Sequence, residues 1–226
     1  MVVLRTANDM IKAIIFDFWG TLVENGVQHS PLKQVRDSMR LYSVPFSAFV
    51  TSFERSFMTR SYESLADAFE QTFRNFNARY NEHIISELVG LWNKNRLLAK
   101  PFPETLKTLE ALKQKGIKLA LLSNTDGFSV EPILEKYDLA KYFDVIILSY
   151  KTGFLKTDKK SFELVLKGLG LEKEDAIMVG DSMQSDIKGA ENAGIKAVLI
   201  DRKGLREYQN KIKELEELEE LEKFLA

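Results

Sequence analysis

The chain contains no cysteine, which excludes disulfides, zinc–thiolate centres and a thiol nucleophile. Histidine is scarce as well: His29 and His83 are the only 2 in 226 residues. They stand too far apart in sequence to argue for a metal site, and only His29 falls close enough to a predicted hinge to be weighed as a proton donor. Neither sign of charge is in excess, with 32 basic against 33 acidic residues and a net charge of -1. No global field therefore draws in nucleic acid or an anionic membrane, and neither is an expected partner. No apolar run approaches the roughly 18–20 residues needed to cross a bilayer. Met1–Met10 carries Arg5, Asn8 and Asp9 and does not read as a signal peptide, so a cytoplasmic location is expected.

What is present is ordinary globular composition, 45% hydrophobic and 29% charged, in a chain long enough for a main domain with a smaller insert. Residues 12–17 form a short apolar run ending in an acid, the pattern of a buried parallel strand. The pattern recurs at 117–123, 143–148, 176–181 and 197–201. Helix-period stretches lie between them, at 103–115, 128–137, 159–169 and 183–193. The alternation predicts an α/β, Rossmann-like three-layer domain around a central parallel sheet. Ligands of such sheets sit beyond the carboxyl ends of the strands.

Residues 25–98 break the alternation. Ser30 followed by Pro31 reads as a side-chain cap and a first helical position. Phe46, Phe49, Phe53 and Phe57 then recur at three or four residues, as do Leu65, Phe69, Phe73 and Phe76. The expected division is a core of residues 1–24 and 99–226 with an inserted α-helical cap of 25–98, about four helices packed on an aromatic stripe. From Leu205 onward, Tyr208, Ile212, Leu215, Leu218, Leu221 and Leu225 predict an amphipathic C-terminal helix. Packed on its own domain it fits a monomer; presented outward it would pair a homodimer.

The chemistry-bearing residues cluster at strand ends. Asp17 closes the first strand and precedes Phe18-Trp19-Gly20-Thr21. Ser123 and Asn124 close the second, and Lys156 follows the third in Gly153-Phe154-Leu155-Lys156. Gly180 and Asp181 close the fourth, with Asp186 five residues on. Singly, each reads as a turn, a cap or a solvated charge. In this order they converge on one edge of a parallel sheet. Asp126 and Tyr150 lie near the same edge.

In these motifs, and in the Pro101-Phe102-Pro103 approach, the chain resembles the haloacid dehalogenase superfamily of the helical-cap (C1) type over nearly its whole length. The resemblance implies a hydrolase in which Asp17 is the nucleophile and Lys156 and Ser123 act beside it. Ser123, Asn124, Lys156 and Trp19 would contact a small-molecule substrate. Asp17, the Trp19 backbone carbonyl, Asp181 and Asp186 would hold Mg2+. Gathered carboxylates repel one another, and a hard divalent cation relieves that repulsion. The activity implied is a phosphatase working through an aspartyl-phosphate.

One departure stands out. Family phosphatases carry a second aspartate two residues after the nucleophile, which protonates the leaving group; here the position is Trp19, whose indole cannot shuttle protons. Loss of such a group costs about 10²–10⁴-fold in rate. An aromatic residue there is the mark of metal-independent 2-haloacid dehalogenases, which is the second reading, and a catalytically impaired binding protein is the third. Asp181 argues for the phosphatase, since a further carboxylate would repel a haloacid. Thr157, where many relatives have proline, leaves Thr157 or Asp158 to cap the following helix.

Overall fold

The structure, a computed structural model, describes residues 11–218. The reading of Met1–Met10 and the last turns of the expected C-terminal helix lie outside that range.

The first strand, β1 (Ala13–Phe16), is buried on both faces. Its side chains alternate: Ile14 and Phe16 enter one apolar cluster, Ala13 and Ile15 another. Two-sided burial is what a parallel sheet under helices requires, and it explains why the strand reads as a continuous apolar run. β4 (Lys118–Ser123), β6 (Ala176–Gly180) and β7 (Lys196–Ile200) repeat the arrangement, and β5 (Val145–Leu148), at the edge, is half-buried. With a short edge strand β8 (Lys211–Ile212), the sheet runs β5-β4-β1-β6-β7-β8 with every pairing parallel. The chain builds outward from β1 to β5 on one side, then crosses back to build β6 and β7 on the other. That reversal opens a crevice at the carboxyl end of β1.

Helices cover both faces. Leu109 and Leu112 of α5 (Thr105–Gln114) and Ile133 and Leu134 of α6 (Val130–Lys136) fill one cluster. Phe162 and Val165 of α8 (Lys159–Leu169) and Ala190 of α9 (Lys188–Asn192) fill the other. A short helix α7 (Ser149–Thr152) follows β5.

Between β1 and β4 stand four helices, α1 (Pro31–Ser38), α2 (Phe46–Phe57), α3 (Leu65–Asn75) and α4 (Glu82–Leu98). They pack around their own cluster, in which the Phe57 ring lies 4.9 Å from Phe53, 4.8 Å from Phe69 and 5.3 Å from Trp92. The chain leaves and re-enters through two short strands paired antiparallel, β2 (Val23–Glu24) and β3 (Lys100–Pro101), with Val23 opposite Pro101 and Glu24 opposite Lys100. Gly26 sits where a Cβ would come within 2.3 Å of the Asn95 carbonyl, so the outgoing linker hugs the end of α4 because it has no side chain there.

Three local expectations need correction. Ser30 occupies the cap position of α1 but makes no side-chain cap bond; Pro31 alone presets the start. The stretch 183–193 begins as a π-turn, Met183–Ile187, before α9. There Asp186 Oδ2 accepts the Ser182 N–H at 2.8 Å, which widens the turn and draws that carboxylate inward. Residues 205–210 are not helical. An edge strand, β8 (Lys211–Ile212), pairs with β7, with the Leu199 N–H bonded to the Asn210 carbonyl at 2.9 Å and the Asp201 N–H to the Ile212 carbonyl at 2.7 Å. The open ladder of β7 outcompetes helix propensity, and Leu215 and Leu218 are buried in the protein's own core. Among the described residues no helix is long and apolar enough to cross a membrane.

Candidate active site

Asp17 leaves β1 with its N–H bonded to the Val179 carbonyl at 2.9 Å, fixed by the sheet itself. The next residues fold tightly back: the Leu22 and Val23 N–H groups both reach the Phe18 carbonyl at 3.0 Å. Gly20 makes this turn possible. It has φ +78, and a Cβ there would meet Asp181 Oδ2 at 2.4 Å. The Thr21 hydroxyl donates to Asp17 Oδ2 at 3.2 Å. Arg202 braces the loop from below. Its guanidinium donates to the Thr21 carbonyl at 2.8 Å and to Glu104 at 2.6 Å, and lies 3.5 Å over the Phe102 ring.

Around Asp17 the rim gathers charge out of water. Lys156 Nζ lies 2.5 Å from Asp17 Oδ1 and 2.5 Å from Asp186 Oδ1, and all three residues are buried. Asp17, Asp181 and Asp186 each offer a carboxylate oxygen within 4.8 Å of the other two. Two acids thus share one buried cation while a third stands close to both, and protonation equilibria respond. Burial raises the Asp17 carboxyl from 3.8 to about 6, against the pull of Lys156. Asp181, partly open to the cavity, rises from 3.8 to about 7, first through burial and then through Asp17 and Asp186. Burial alone would lower the Lys156 ammonium, but the Asp17 and Asp186 carboxylates raise it instead and keep it charged. Close ion contact notwithstanding, Asp186 Oδ1 makes no hydrogen bond of good geometry among the described residues.

These groups form the floor of a cavity of about 590 Å³ roofed by the four-helix insert. Helix α2 and the Met58 that follows it present a second face to it, with Ser47, Val50, Thr51 and Glu54 on the helix beside the phenylalanine stripe that makes the insert's core. Asn124 ties roof to floor: its Nδ2 donates to Glu54 Oε2 and its Oδ1 accepts the Lys156 N–H, both at 2.9 Å. Burial raises Glu54 from 4.5 to about 7, net of the lowering by Lys156 and by the Asn124 bond.

The structure brings Asp17, Trp19, Asn124, Lys156, Asp181 and Asp186 to this one cavity. Ser123 lies just beneath. Its hydroxyl is buried without a hydrogen-bond partner among the described residues, and its side chain is not part of the wall. Trp19 lines the cavity with its ring edge-on to Phe18 at 5.3 Å. Asp126 also lines it, but its carboxylate is consumed by Trp92 Nε1 at 2.9 Å, the Phe128 N–H at 2.8 Å and the Ser129 hydroxyl. Tyr150 turns away to Glu131, and His29 is exposed and outside the wall. Thr157 does not cap α8; Asp158 takes that place, bonds the Leu155 N–H at 2.8 Å and pairs with Arg55. Three residues escaped the sequence reading. Glu54 is foreshadowed by the 47–50–51–54–58 spacing on α2, whereas Arg202 and Arg206, whose guanidinium donates to the Asp181 carbonyl, had no local signal.

Comparison with known proteins agrees with this geometry. A family profile described as haloacid dehalogenase-like hydrolase matches residues 11–194. A glyceraldehyde 3-phosphate phosphatase of Methanothermobacter thermautotrophicus is 27% identical over 205 residues, spanning 85% of this chain and 86% of that protein. A phosphoserine phosphatase of Thermus thermophilus is 33% identical over 141 residues, 58% of this chain and 56% of the relative. Among solved structures, a HAD phosphatase of Thermococcus onnurineus superposes with a TM-score of 0.60 at 27% identity, covering 95% of this chain and 99% of the other. A 2-haloacid dehalogenase of Pseudomonas syringae pv. Tomato shares the fold with a TM-score of 0.64 at 24% identity, covering 96% and 100%. Central parallel sheet, helical insert, ordered acidic rim and matched profile agree: the chain belongs to the haloacid dehalogenase-like hydrolases.

Proposed function

We propose that the protein is a Mg2+-dependent phosphatase of small phosphorylated metabolites, with residues 1–24 and 99–226 supplying the reacting groups and the insert of 25–98 the substrate-selecting roof. The observation that carries this reading is the gathering of Asp17, Asp181 and Asp186 at one point of the rim, with a buried lysine paired to Asp17 and Asp186. A phosphate dianion cannot approach that floor while its negative charge is uncompensated. The donor set fits a hard divalent cation: carboxylate oxygens crowded together, one of them, Asp186 Oδ1, lacking a proper hydrogen bond. Asp17, Asp181, Asp186 and the Trp19 carbonyl are the residues that would hold Mg2+. When bound, the ion neutralises the floor and draws charge from the phosphoryl oxygens.

The chain's own groups do the rest. The sheet and the Thr21 hydroxyl orient Asp17, whose free lone pair attacks phosphorus. Lys156, held charged, keeps that carboxylate and a phosphoryl oxygen together. Ser123 is assigned to another phosphoryl oxygen from the family pattern; its hydroxyl lies beneath the wall with no hydrogen-bond partner among the described residues to hold it there. Water then cleaves the aspartyl-phosphate and restores Asp17. The named relatives, phosphatases of small phosphate esters, support this class.

Trp19 favours the dehalogenase as second reading. It is opposed by the cavity itself, where the cationic lining residues among the described ones are Lys156, already paired with two acids, and Arg206. A panel of phosphorylated metabolites and 2-haloacids, assayed with Mg2+ and with EDTA, separates the readings. Phosphate release that needs Mg2+ and disappears in Asp17→Asn, by at least about 10⁴-fold, is expected. Halide release that persists in EDTA would overturn the assignment.

A further inference from the structure

The phosphatase reading leaves a proton unaccounted for. Departure of an alkoxide from phosphorus needs an acid, and Trp19 cannot supply one. The acids lining the cavity are Asp17, Glu54, Asp126, Asp181 and Asp186. Asp17, Asp181 and Asp186 are committed to the floor, and Asp126 is saturated by the indole, backbone and hydroxyl donors of Trp92, Phe128 and Ser129. One carboxyl remains.

Resting on that reading, we propose that Glu54, reaching in from the insert, is the proton-transfer residue of the reaction and takes over the task of the missing aspartate. Its position fits. Glu54 Oε2 is fixed at 2.9 Å by Asn124, whose other end holds the backbone of Lys156, and Lys156 Nζ touches Asp17. Oε1 is the oxygen left to carry a proton. The charged groups acting on Glu54 are Lys156 from the loop before α8, Asp17 from β1 and Asp186 from the π-turn; Arg55, its neighbour on α2, is turned to Asp158. Two acids and burial outweigh one lysine, so the carboxyl holds its proton up to about pH 7. An acid poised near neutrality is suited to this work.

The balance closes. As Asp17 bonds to phosphorus and the phosphorus–oxygen bond to the leaving group breaks, the Glu54 proton passes to the departing alkoxide. The resulting Glu54 carboxylate takes a proton from the water that attacks the aspartyl-phosphate. Inorganic phosphate leaves, and Asp17 and Glu54 return to their starting forms.

Glu54→Gln retains the acceptor for Asn124 but has no proton to give. With Mg2+, kcat/KM for glycerol phosphate, a poor leaving group, should fall about 10²-fold or more. For p-nitrophenyl phosphate, whose leaving group needs no proton, kcat/KM should hold, while kcat drops and a burst of nitrophenolate appears because the phosphoenzyme accumulates. In the wild type, kcat/KM for glycerol phosphate should decline on the alkaline side as Glu54 loses its proton, and the variant should lose that limb. Adding Trp19→Asp to Glu54→Gln should restore glycerol phosphate turnover. Independently of turnover, the infrared difference between wild type and Glu54→Gln should contain a protonated-carboxyl band that titrates near pH 7. If the wild type hydrolyses phosphates but Glu54→Gln lowers both substrates equally or neither, Glu54 is not the proton donor and the phosphatase reading stands. If the wild type hydrolyses no phosphate in the panel, the phosphatase reading itself fails.

Discussion

Two buried regions of this protein lie a few residues apart and are built on opposite principles. The heart of the insert is rings: Phe49, Phe53, Phe57, Phe69, Phe73 and Trp92, packed at centroid distances such as 4.9 and 4.8 Å. Each contributes by leaving water, and none needs a particular protonation state. The rim of the sheet is charge: Asp17, Asp181 and Asp186 against Lys156. There the folded state holds carboxylates that would rather be solvated, and stability is given up to place them. The insert is assembled for stability and the rim for reaction. Glu54 stands on the seam, carried by the stable helix and aimed at the costly floor.

The contrast can be broken experimentally. Phe57→Ala should cost about 3–5 kcal/mol through an unfilled cavity. Lys156→Met should cost a similar amount, about 3–5 kcal/mol, because two buried carboxylates lose their counter-charge. Denaturant unfolding at two pH values tells the causes apart. The Phe57→Ala loss should be the same at pH 5 and pH 8, whereas the Lys156→Met loss should shrink at the lower pH as the acids protonate. Equal pH dependence in both variants would contradict the division drawn here.

A smaller effect follows in the unmutated protein without metal. Asp17 and Asp181 titrate at 3.8 in the unfolded chain but at about 6 and about 7 when folded. Between those values the folded state binds more protons than the unfolded one, so stability falls as pH rises. Thermal unfolding in EDTA should therefore show a declining midpoint from about pH 4 to about pH 7, and saturating Mg2+ should reverse the decline at neutral pH. A flat profile would mean that the rim carries no electrostatic load.

Much of this was legible in the sequence. Strands β1, β4 and β6 announce themselves because parallel strands buried on both faces read as apolar runs, closed by an acid at Asp17 and Asp181 and by Ser123-Asn124 after β4. The lapse of strand–helix alternation over 25–98 is visible in the sequence, and β2 and β3 pair on either side of that stretch. The C-terminal segment misled because its leucine spacing suits a helix, while the unsatisfied edge of β7 claims the backbone instead. Glu54 was hidden for a different reason. A lone glutamate on a helix is ordinarily solvated; residue spacing marks a second face of α2, but the fold is needed to show that this face closes over the nucleophile.

The most direct test of the central claim follows heavy oxygen. Repeated turnover in heavy-oxygen water should place the label in released phosphate and leave the Asp17-containing peptide at its natural mass, because water attacks phosphorus. Label in the Asp17 carboxylate would show water attacking the carboxyl carbon, the course of an ester formed by displacing halide, and would contradict the account.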